Sequence, residues 1–153
     1  MEVSARTVRD FLCSAALLHG MSAEKRNRYL FLYERATKTT TALTGMPGGG
    51  SSDHEAVLAS LADAVGDVGK WKELAAYQRE LVRKFIEEAE ISDYYKDILM
   101  RRYYCGDGWA IILGQIQWDG NVSRRKLFYD HNRALKACAD WVNKTGKYKE
   151  EMI

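Results

Sequence analysis

Apolar positions recur along the chain at helical spacing, and no stretch shows the strict alternation of a half-buried strand. Val8, Phe11, Leu12, Ala15 and Leu18 make one side of a first helix over about residues 5–18, with Gly20 as its stop. Ser22 then caps a second, about residues 23–43, with Glu24 in its first turn and Tyr29, Leu30, Leu32, Tyr33 and Ala36 as apolar positions. Four threonines between positions 37 and 41 weaken its end.

The next helix is the longest. Val57, Leu61, Ala64, Val68, Trp71, Ala75, Gln78, Val82, Phe85 and Ala89 follow steps of four and three, a 3.5-residue repeat that marks a coiled-coil seam. Leu58, Val65, Leu74, Leu81 and Ile86 widen the stripe, which predicts packing against more than one helix. Gly66 and Gly69 predict a bend near the middle. The seam is filled either by the chain's own helices or by a second copy, in a homodimer through the long helix.

Shorter units follow. Ser92 and Asp93 cap a helix to about Tyr104, the turn Cys105-Gly106-Asp107-Gly108 leads into a helix over about 109–117, and Asp119-Gly120-Asn121 makes a second turn. Ser123 caps a last helix to about Asn143, with Leu127, Phe128, His131, Ala134, Leu135, Cys138, Trp141 and Val142 in one stripe. The last ten residues, 144–153, are mostly polar.

Composition sharpens this picture in three places. The single proline, Pro47, lies beside Gly48-Gly49-Gly50, so the main break between helices falls there; with no strand before it and no Lys-Ser/Thr after it, this is a link and not a phosphate loop. Three cysteines, Cys13, Cys105 and Cys138, cannot all pair and form no Cys-x-x-Cys motif, and no apolar run is long enough to span a membrane, so the reducing cytoplasm is the expected location and no membrane partner is expected. The net charge of +2 divides into +3 over residues 1–45, −5 over 46–95 and +4 over 96–153. Different segments therefore suit different partners.

The positive end carries the clearest chemistry. With the Leu127 to Leu135 stripe turned inward, helical geometry puts Arg125, Tyr129, Asn132 and Lys136 on the opposite side, while Arg124, Lys126 and Arg133 flank that line. Arginine and asparagine suit guanine and adenine edges, and the flanking cations suit phosphates. Three short helices joined by tight turns, the last opening on Ser123-Arg124-Arg125-Lys126, have the layout of a helix-turn-helix.

Leu99-Met100-Arg101-Arg102-Tyr103, then Trp109-Ala110-Ile111-Ile112-Leu113, then Ser123 with His131-Asn132-Arg133-Ala134-Leu135 resemble the elements of phage-encoded proteins similar to region 4 of sigma-70, the ArpU/RinA-like late transcriptional regulators. Upstream, Arg35-Ala36-Thr37, the Gly-rich link after Met46-Pro47 and Asp53 before a long helix are similar too. The resemblance implies an all-α protein: a helical bundle with a long central coiled-coil-like helix and a C-terminal sigma-region-4-like helix-turn-helix. The expected divisions are an N-terminal helical pair (1–45), a Gly-rich linker (46–52), the long helix (53–91), the helix-turn-helix (92–143) and a disordered tail (144–153). It also implies duplex DNA as partner, with RNA polymerase or another large host nucleoprotein beside it, in a bacterial host cell. Leu113, where the family has alanine, and a longer turn before Ser123 depart from the pattern. Those departures, with the acidic middle, favour an alternative: a phage-encoded inhibitor, of the anti-CRISPR kind, that blocks a host or defence nucleoprotein with the same scaffold.

No enzyme chemistry is expected. His131 falls in an apolar stripe and reads as a core histidine, Cys138 two turns away is too far to share one zinc ion with it, and Glu87, Glu88 and Glu90 read as a solvated face. No metal or other cofactor is expected.

Overall fold

A computed structural model describes residues 1–42, 51–119 and 122–153, and among them every regular element is helical. The order is α1 (Ala5–Ala42), α2 (Ser51–Glu88), α3 (Asp93–Leu99), a π-helical turn (Met100–Tyr104), α4 (Trp109–Asp119), α5 (Arg124–Thr145) and a short α6 (Lys149–Met152). None of the described helices is long and apolar enough to cross a membrane. The chain divides into two compact units: Met1–Leu17 with Tyr77–Ile153, and Leu18–Ala76.

The first division expected from the sequence is corrected. Residues 5–42 form one helix, not a pair broken at Gly20. A buried row explains it: Val8, Phe11, Ala15, Leu18, Ser22, Lys25, Tyr29 and Leu32 are spaced by threes and fours, and all are buried or half-buried. A stop at Gly20 would throw the second half of that row out of phase, whereas glycine inside a helix costs only about 1 kcal/mol against alanine. Ser22, expected as a cap, is instead buried on the inner side of α1.

All ten expected seam positions, nine in α2 and Ala89 just after it, are buried or half-buried, and the helix is uninterrupted at Gly66 and Gly69. Most of the expected linker lies outside the described residues, but Ser51 and Ser52 already belong to α2. In the unit Leu18–Ala76 the two helices are joined by Lys25 and Asp67 at 3.8 Å.

In the larger unit the core gathers on Phe85, which is fully buried. Phe11 of α1 meets it edge-on at 5.3 Å, Trp141 of α5 at 5.8 Å and Tyr148 at 5.3 Å. Burying one such ring contributes roughly 2–3 kcal/mol before its edge-to-face contacts are counted. The tail is thereby corrected: instead of being disordered, it turns at Gly146 (φ 72°), sets Tyr148 on Phe85 and Trp141, and ends in α6 with Met152 packed on the core. At the other terminus the Val3 N–H donates to Asn143 Oδ1 and Asn143 Nδ2 donates to the Val3 carbonyl, both at 2.8 Å.

The uninterrupted α1 can be checked at Gly20, which is exposed and where an added Cβ meets nothing within 4 Å. Gly20→Ala should raise unfolding stability by about 0.5–1 kcal/mol in urea titration. A helix stop at Gly20, with its left-handed backbone, would give a loss instead.

Candidate nucleic-acid interface

The site is one side of α5, and two small networks hold the other side. Ser123 caps the helix, its side chain accepting from the Lys126 N–H at 3.2 Å. Leu127 then joins Ile98 of α3 and Ile112 and Ile116 of α4 in a compact apolar core, with Trp109, Leu113 and Val122 packed against it. One turn on, Asp130 is buried and accepts from the Tyr94 hydroxyl at 2.9 Å. Burial first, and that hydrogen bond second, push Tyr94 up to about 12.

His131 is the centre of the second network. Its Nε2 lies 2.9 Å from the Tyr103 hydroxyl, its ring stacks on Tyr103 and meets Trp109 edge-on at 4.8 Å, and Trp109 in turn meets Phe128 at 5.0 Å. Burial above all, reinforced by the charges of Arg102 and Arg9 and opposed by a hydrogen bond with Asn132, pushes His131 down to about 4. It is therefore neutral at pH 7. Among the described residues no group of His, Cys, Asp or Glu is spaced to hold a metal ion.

Arg101 and Arg102, just after α3, brace α4. Five residues from Met100 to Tyr104 form a π-turn, closed by the Cys105 N–H on the Met100 carbonyl at 2.9 Å and ended at Gly106 (φ 74°). Arg101 donates to Asp97 of α3 and to Gln115 of α4. Arg102 lies over the Trp109 ring at 4.6 Å and donates to the Asp107 carbonyl at 3.2 Å. Sequence reasoning missed these ties because a π-turn shifts side chains off the 3.6-residue period.

What remains is the outward side of α5. Arg124, Arg125, Lys126, Tyr129, Asn132, Arg133 and Lys136 are all exposed. Arg125, Tyr129, Asn132 and Lys136 follow one another at steps of four, three and four, opposite the buried line Leu127, His131, Ala134 and Cys138. Arg124 lies 5.6 Å over the Phe128 ring and Arg133 5.6 Å over the Tyr129 ring. Among the described residues none of these five cations has a carboxylate within ion-pair distance, whereas Arg6, Lys25, Arg83 and Arg101 each do.

The neutral His131 makes stability depend on pH with a definite sign. Its folded value, about 4, lies below the ordinary histidine value of 6.5, so the unfolded chain binds more protons between them. Its contribution is therefore complete above pH 6.5 and is lost as pH falls towards 4. Urea titrations should show that loss in the wild-type chain and a shallower one in His131→Gln; equal slopes would contradict a buried neutral imidazole.

Comparison with protein-family models, with curated proteins and with solved structures finds no match for this chain.

Proposed function

We propose that this chain is a DNA-binding transcriptional regulator of the phage type, which reads duplex DNA with α5. The observation that carries the reading is the line of exposed cations, unpaired with any carboxylate among the described residues, on a helix whose other side is fixed by a core, two buried hydrogen bonds and an aromatic stack. In this reading α4 and α5 are the two helices of a helix-turn-helix, and the N-terminal part of α5 enters the major groove. Arg125 and Asn132 face base edges, while Arg124, Lys126, Arg133 and Lys136 face phosphates and Tyr129 packs on the sugar-phosphate wall. The bracing of α4 by Arg101 and Arg102 keeps the two helices at a fixed angle, which base reading needs.

A second reading, the inhibitor that occupies a nucleoprotein surface, draws support from α4. Ile111 is exposed there, and Leu113 is the bulkier residue in the small core. An apolar side chain beside a cationic helix suits a protein surface as well as a groove.

Gel-shift titration on duplex DNA separates the two. Binding should fall steeply with salt; Lys126→Ala should weaken all sequences alike and lower the salt slope by about one, whereas Arg125→Ala should relax base preference at a cost of about 1–3 kcal/mol. No shift even at about 50 mM salt, where phosphate contacts are strongest, would overturn the DNA reading in favour of the second.

A further inference from the structure

The unit Leu18–Ala76 leaves uncovered a second seam beside the first. Leu58, Ala62, Val65, Gly69, Lys72 and Ala76 of α2 follow steps of four and three, each one residue after or before a residue of the buried row, and all six are exposed. Leu58 is 46% and Val65 54% exposed. In an antiparallel pair of right-handed helices, the position just after a seam residue falls on the same flank of both. Leu30 of α1, 49% exposed, follows the half-buried Tyr29 and so shares that flank with half-buried Ala23 and with exposed His19, Arg26 and Tyr33. A helix pair has only one seam to share. On α2 the second, apolar except at Lys72, is open along six positions.

Charge selects what covers it. From the sequence, the α1 part of this unit (18–42) carries five Lys/Arg against two Asp/Glu, and the α2 part (51–76) carries two against five. The two helices are thus oppositely charged, and Lys25 with Asp67 is one contact that uses this. We infer that the occupant is a second copy of this chain, related by a two-fold axis running along the helices, so that α1 of each copy lies on α2 of the other in an antiparallel four-helix bundle. That axis repeats the attraction between the +3 and −3 helices and keeps every neighbour antiparallel. A two-fold across the helices would stack α1 on α1 and α2 on α2, with like charges facing.

The residue sizes agree with this axis. Lys25 beside Asp67 sets the level at which α1 and α2 pass, so Leu30 is level with Ala62, Ala23 with Gly69 and Gly20 with Lys72. A two-fold along the helices preserves these levels. The partner's Leu30 then fills the step over Ala62 between Leu58 and Val65, and the partner's Ala23 meets Gly69. Leu30 faces a small residue, and Ala23 with Gly69 lets the two helices approach closely. The pairing is independent of what α5 binds.

Light scattering on the full chain should give twice the 17.5 kDa chain mass, and Val65→Glu should halve it with far-UV helicity retained; Leu58→Lys serves as the second variant. With Cys13 and Cys105 replaced by serine, oxidising an equal mixture of Leu30→Cys and Ala62→Cys chains should yield the mixed disulfide dimer in excess over either self-pair. A monomeric wild-type chain at micromolar concentration, or a dimer that survives both charge substitutions, overturns the inference; excess self-pairs overturn the proposed axis.

Discussion

The larger unit depends on the burial of one ring. Phe85 is where α1, α2, α5 and the C-terminal segment converge, through Phe11, Trp141 and Tyr148. Edge-to-face contacts with three rings fix direction as well as distance, because the positive edge of one ring must meet the negative face of another. Elements more than fifty residues apart in sequence are thereby held at set angles. The C-terminal half of α5 consequently shares one core with Val82, Phe85 and Ile86 of α2, while its N-terminal half rests on the smaller core of Ile98, Ile112, Ile116 and Leu127.

This division of α5 determines what the helix can offer. Twenty-two residues long, it has nine buried positions, among them Asp130 and His131. A buried carboxylate and a buried imidazole would each be costly alone, but the Tyr94 and Tyr103 hydroxyls reach them at 2.9 Å. Both tyrosines come from the segment just before α4. The same stretch that braces α4 through Arg101 and Arg102 therefore also fixes the rotation of α5, and with it the direction in which Arg125 and Asn132 point.

Much of this was legible as periodicity. The α2 seam, the Ser92 and Ser123 caps and the inward line of α5 all follow from spacing and capping chemistry. The continuity of α1 was not, because its row passes through Ser22 and Lys25, polar residues that break an apolar pattern although both are buried or half-buried. The tail was misjudged for a related reason: one tyrosine among charged residues carries little hydrophobic signal, yet Tyr148 has a partner ring waiting on each of two helices. The roles of Arg101, Arg102 and Tyr103 lay beyond reach of the sequence, since they depend on the π-turn and on elements brought together only by folding.

Charge placement on α5 is the feature that a purely structural role explains least. Its first turn holds Arg124, Arg125 and Lys126 and no acidic residue, although the helix dipole makes cations there unfavourable by a few tenths of a kcal/mol each. Some cations elsewhere are compensated locally: Arg83 bonds both Glu80 and Glu87, and Arg101 bonds Asp97. The α5 arginines have only the faces of Phe128 and Tyr129, contacts that orient a guanidinium without neutralising it. In the proposed reading, this row of cations would draw an anionic partner by long-range attraction before contact and hold it by charge-assisted hydrogen bonds after it. A polyanion with regularly spaced charges satisfies both conditions, which a scattered set of surface carboxylates does not.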